Sequence, residues 1–181
     1  MQTLNLKNHI ELGAKMGQIN LTEFSLSETI TDPDEPVESF IRSDYYEKDC
    51  RNDFVKANSH LKFLQSPFAL NNIYAKDFKK LDKDQFQKYI IDYRDSGNWN
   101  SQEETIKTLV SGFFDLYPNF DRQIFYVLNK EWFEPPRGVK HSVEDLDTRL
   151  KYDSYCYSFF VLIIWLDLTE NTLTASEWYC D

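Results

Sequence analysis

Histidine and cysteine are the side chains best suited to hold a metal or attack a substrate. This chain has three of each: His9, His60 and His141, and Cys50, Cys156 and Cys180. No two of them share the short spacing of a zinc ligand pair, so any metal centre would have to be assembled by the fold. A Cys–His nucleophile pair would likewise have to meet in space rather than in sequence. The five glycines, at 13, 17, 97, 112 and 138, match neither GxxxxGK[ST] nor GxGxxG, the two patterns that let a backbone cradle phosphate. A GxSxG nucleophile elbow and an HExxH pair are also missing. Glu144, Asp145 and Asp147, with Glu131 and Glu134 upstream, have the chemistry for a divalent cation but the look of a solvated helix face. Lys76, Lys79, Lys80 and Lys83 fit one helical face, but Asp77, Asp82 and Asp84 interleave with them. These residues give no reason to expect a cofactor or a metal.

Contact chemistry is better represented. Trp132-Phe133-Glu134-Pro135-Pro136-Arg137 sets two large aromatics and an arginine in a proline-stiffened loop, which would lose little entropy on binding. The net charge is −10. Residues 28–53 hold nine acids against three bases, and residues 140–181 hold eight against three. Between them, residues 54–139 are close to balanced, with eleven acids and twelve bases. No basic footprint for nucleic acid or for an anionic membrane surface emerges. Asp32, Asp34 and Glu35, with Glu144, Asp145 and Asp147, are instead candidates to face a basic protein partner, and Trp132, Phe133 and Arg137 are candidates to anchor it. Aromatic residues make up 16% of the chain, enough to supply both a core and a contact surface.

An odd number of cysteines without CxxC spacing suggests free thiols in a reducing compartment. The first ten residues lack the charged and continuous apolar regions of a signal peptide. A cytoplasmic protein is expected, with no membrane association.

The elements that must position these residues follow from periodicity. Phe159 to Leu166 is an unbroken apolar run rich in aromatic and β-branched types, which suits a strand covered on both faces. It is too short to span a bilayer, which takes about 20 residues. Thr169-Glu170-Asn171 is turn chemistry, and Thr172–Tyr179 is a β-prone return strand, so a hairpin is expected over 155–179. Residues 31–36, with Pro33 and Pro36, are expected to form an acidic loop. Helical spacing from Val37 to Leu64 predicts one kinked helix or two, ending at Ser66-Pro67. Asp82 with Gln85 makes a capping box before Phe86, Tyr89, Ile90 and Tyr93, and Ser101 with Glu104 makes another before Ile106, Leu109, Val110, Phe113 and Tyr117. Gln123–Asn129 reads as a strand, and Ser142 with Asp145 as the start of a short helix. At the other end, Leu4, Leu6, Ile10 and Leu12 permit a short helix broken near Gly13 and Gly17, and Ile19 to Leu26 hint at an extended segment.

Helices first and strands last predict an α+β fold over 1–181, a single domain whose helical N-terminal and central part packs on a small C-terminal antiparallel sheet. The expected function is that of a non-enzymatic acidic interaction protein, an inhibitor or immunity-type protein that blocks a basic partner such as a nuclease or toxin enzyme. Two alternatives remain. One is an enzyme with a site assembled from scattered Asp, Glu, His and Tyr; the other is a small-molecule-binding domain with an aromatic-lined pocket.

Overall fold

The computed structural model describes residues 2–14, 17–46, 74–96, 103–118, 123–129 and 159–180. Their centre is one six-stranded antiparallel sheet in the order β1-β2-β6-β5-β4-β3. Its strands are β1 (Leu4–Ala14), β2 (Gly17–Leu26), β3 (Lys79–Leu81), β4 (Gln123–Asn129), β5 (Phe159–Asp167) and β6 (Thr172–Cys180). Three α-helices accompany it among the described residues: α1 (Asp34–Ile41), α2 (Lys83–Ser96) and α3 (Glu103–Leu116). The expected small C-terminal sheet under a helical N-terminal part is therefore overturned. The first 26 residues, expected to open with a helix, supply two of the longest strands, and β2 pairs directly with β6 from Gly17↔Cys180 to Ser25↔Thr172.

β5 shows why its sequence is continuously apolar. Leu162, Ile164 and Leu166 join Val37, Phe40 and Ile41 of α1 in one core. Val161, Ile163 and Trp165 join Phe86, Ile90, Ile106, Leu109, Val110 and Phe113 of α2 and α3 in another. Successive side chains of a strand point to opposite faces, so the two cores lie on opposite sides of the sheet. One strand thus serves two cores. On the α2–α3 side Phe86 stacks on Phe125 with ring centroids 3.8 Å apart, and Phe113 meets Trp178 edge-on at 5.0 Å. The indole N–H of Trp178 donates to Ser176 Oγ at 2.7 Å, which satisfies both polar groups inside that core.

Helix starts follow local chemistry. The Asp82–Gln85 box closes in both directions: Asp82 N–H donates to Gln85 Oε1 at 3.0 Å, and Gln85 N–H donates to Asp82 Oδ1 at 2.9 Å. α1 begins within the segment expected to be loop. Only Thr31–Pro33 precede it, and Asp34-Glu35-Pro36 form its first turn. Pro36 is tolerated there because first-turn N–H groups have no intrahelical partner, and the two acids complement the helix dipole. Lys76, Lys79, Lys80 and Lys83 do not share a helical face. They fall on a 3₁₀ turn (Ala75–Asp77), on β3 and at the first residue of α2. No helix among the described residues is long and apolar enough to cross a membrane.

Candidate functional site

The described parts of the two acid-rich stretches, 28–46 and 159–180, meet at one end of the sheet, and Asn171 joins them. Asn171 sits in the β5–β6 turn at φ 53°, a left-handed conformation that asparagine tolerates better than most residues. Its side-chain N–H groups donate to the carbonyls of Leu26 at 3.2 Å and Glu28 at 3.0 Å. Its Oδ1 accepts from Ile30 N–H at 3.2 Å, and its own carbonyl accepts from Leu26 N–H at 3.1 Å. Beside it, Asp167 Oδ1 accepts from the N–H groups of Thr169 and Glu170 and so shapes the turn. Glu28 and Glu170 are exposed at this junction, Leu168 is exposed in the turn, and Asp32 is exposed two residues beyond Ile30. The field of these acids reaches the edge strand. The Lys7 ammonium is held above the usual lysine range by its hydrogen bond to Glu23, 2.6 Å away, with smaller contributions from Glu170 and Asp167.

The acids of the 31–36 segment divide into two roles. Asp32 is exposed, and its Oδ1 accepts from Asp34 N–H at 3.0 Å, which helps set the start of α1. Glu35 is half-buried on α1. Asp34 is exposed, yet its carboxylate is engaged. The Tyr126 hydroxyl donates to its Oδ1 at 2.5 Å, and Lys80 Nζ lies 3.4 Å from the same oxygen and 5.2 Å from the centre of the Tyr126 ring. Burial, then the hydrogen bond to Asp34, then the charges of Asp34 and Asp32 push the Tyr126 phenol far above the usual tyrosine range. Glu38 is engaged in a similar way, accepting from Ala75 N–H at 2.7 Å and lying 3.7 Å from Arg42. Asp34 and Glu38 hold α1 to its surroundings, whereas Glu28, Asp32 and Glu170 are presented outward.

Trp132, Phe133, Arg137, Glu144, Asp145 and Asp147 lie outside the described residues. So do His60, His141 and the helical spacing from Phe54 to Leu64. Of the sequence-selected partner-binding residues, the described set is Asp32, Asp34 and Glu35, and the fold ties Asp34 to Tyr126 and Lys80 rather than leaving it on a free loop.

One constellation gave no sign in the sequence. His9 on β1 is directly opposite Thr22 on β2, and its Nδ1 is 2.8 Å from Thr22 Oγ1. That oxygen is in turn 2.7 Å from Tyr45 Oη. His9 Nε2 is 3.5 Å from Oε1 of Glu11, two residues along on the same face of the strand. Thr22 is buried, Tyr45 half-buried, and His9 and Glu11 exposed. Reading residues 9–12 as helix separates His9 from Thr22. The alternation of Ile10, Leu12 and Ala14, followed by Gly17 and then Ile19 and Leu21, was the available signal for a hairpin.

No three His, Cys, Asp or Glu side chains converge to hold a metal among the described residues. No protein-family model, curated protein or solved structure matches the chain.

Proposed function

We propose that the chain is an acidic interaction protein that covers a basic surface on a protein partner, in the manner of an inhibitor or immunity protein. The supporting observation is the junction at Asn171, which fixes the 26–30 segment against the β5–β6 turn through four hydrogen bonds. Acids from two distant parts of the sequence thereby share one preorganised surface. Glu28, Asp32, Glu170 and Leu168 are all exposed, and we take the leucine as an apolar contact and the acids as its charged rim. Charges in such a rim steer encounter with an oppositely charged surface, and the apolar centre determines how long the complex lasts.

Affinity purification from the native cell, followed by mass spectrometry, should recover a basic protein. Glu28→Lys, Asp32→Lys and Glu170→Lys together should slow association and flatten its dependence on salt, because they act through steering. Leu168→Ala should instead speed dissociation. Asp34 is left unchanged in this design because it holds Tyr126, and its loss would confuse binding with stability. A partner that binds equally well in about 50 mM and about 500 mM salt, where the screening length differs several-fold, would exclude the proposal. So would turnover of a small substrate by the isolated protein.

A further inference from the structure

We propose that His9 and Glu11 form a binding site for a divalent transition ion of borderline softness, such as Zn²⁺, on the edge strand β1. The two donors lie two residues apart on one face of a strand, with Nε2 and Oε1 3.5 Å apart. That is longer than a charge-assisted hydrogen bond, which is about 2.7–2.9 Å. It matches two corners of a tetrahedral ion, where bonds of about 2.0–2.1 Å place neighbouring donors roughly 3.3–3.4 Å apart.

What orients the imidazole is the second, independent observation. A histidine that ligates through one nitrogen generally donates its other N–H to a fixed acceptor, which selects the tautomer and holds the ring. Here Thr22 Oγ1, 2.8 Å from Nδ1 on a buried residue and itself 2.7 Å from Tyr45 Oη, is placed to be that acceptor. When Nδ1–H donates to Thr22, the Nε2 lone pair is directed to the side of Glu11. Thr22 also lies directly across the β1–β2 ladder from His9, so the backbone register fixes the geometry. An exposed histidine without a role would not need a buried hydroxyl relay behind it. Two protein donors leave two positions of a four-coordinate ion to water or to a donor from another molecule. The site is thus of the open type, able to bridge to a ligand.

The test uses Zn²⁺ alone, by calorimetric titration of the full chain, with His9→Ala, Glu11→Gln and Thr22→Val in parallel. Thiol binding by the three cysteines is a background common to all four proteins. The wild type should show one class of site that His9→Ala and Glu11→Gln each remove, and Thr22→Val should weaken it about 10-fold or more. His9 and Glu11 are exposed, so their variants should keep the wild-type far-ultraviolet circular dichroism spectrum. Anomalous diffraction from a Zn²⁺-soaked crystal should place the ion within bonding distance of both side chains. Superimposable titrations of the wild type, His9→Ala and Glu11→Gln would overturn the proposal. An ion found only at the cysteines or at other histidines would do the same.

Discussion

Asp34 shows how far a residue's role depends on what the fold sets beside it. From its neighbours in sequence it is one of several loop acids, apt for a partner. In the structure it accepts the hydroxyl of a tyrosine 92 positions away. The consequence is an alkaline instability with a definite sign. An unfolded tyrosine ionises near pH 10, whereas the folded chain keeps the Tyr126 proton because of burial and the Asp34 carboxylate. Above about pH 10 the folded state therefore binds more protons than the unfolded one, and stability falls by up to roughly 1.4 kcal/mol per pH unit. Below about pH 10 both states hold the proton, and the contribution is intact. Tyr126→Phe should cost about 1 kcal/mol at neutral pH, since the hydrogen bond is to a charged but partly exposed acceptor. That deficit should shrink as urea unfolding is followed from pH 9 to pH 11, because only the wild type has this proton to lose. Tyr117, also raised by burial, is present in both proteins and cancels. A deficit that stays constant across the range would show that the phenol does not titrate as described. No sequence pattern pairs residue 34 with 126, and residue 9 meets 22 only once residues 4–26 are read as a hairpin. Both contacts arise from strand register and helix placement, which only the assembled sheet defines.

Elements were legible where burial is two-sided or the cap is local. The run in β5 announced a strand because both of its faces are covered, and the Asp82–Gln85 box announced α2 because its bonds span only three residues. β1 escaped for a physical reason. It is an edge strand with most side chains exposed, Leu6 at 66%, so few positions had to be apolar. A register irregularity between Leu6 and Asn8 also moves the even-numbered side chains from the face of Leu4 to the opposite face, that of Ile10, Leu12 and Ala14. The start of α1 was missed because proline reads as a breaker, although it is acceptable in a first turn. Central and edge strands should therefore respond differently to truncation. Ile163→Ala, at a fully buried position in β5, should cost about 2–5 kcal/mol in chemical denaturation. Leu6→Ala should stay within about 0.5 kcal/mol. Equal losses at the two positions would contradict the two-sided burial of β5.

At the scale of the molecule, the sheet is closed by its last two strands. β1–β2 and β3–β4 have no ladder in common, and β5 and β6 join them through Gln123↔Asp167 to Asn129↔Val161 on one side and Gly17↔Cys180 to Ser25↔Thr172 on the other. A fragment ending at residue 150 would contain both outer pairs and neither central strand. It should lack a cooperative thermal transition by circular dichroism, and a sharp melt in that fragment would show that the outer parts can fold without β5 and β6. The fold class was misread at this scale because the pairing of β2 with β6 joins opposite ends of the sequence. Helices in the middle and strands at the end looked like separate territories when they are layers on one sheet.

The same closure imposes an order on synthesis. β1 and β2 are complete once Leu26 has been made, but β6, their route into the sheet among the described residues, is finished at Cys180. At typical elongation rates of roughly 5–20 residues per second, the first hairpin waits on the order of ten to thirty seconds for its partner. Throughout that interval the inner edge of β2 has its hydrogen-bonding groups unmet, and Ile19, Leu21 and Phe24 lack the β5 and β6 side chains that complete their burial. The yield of this protein in a cell should therefore depend on how well its nascent N-terminal hairpin is sheltered, and on how quickly the ribosome reaches the sixth strand.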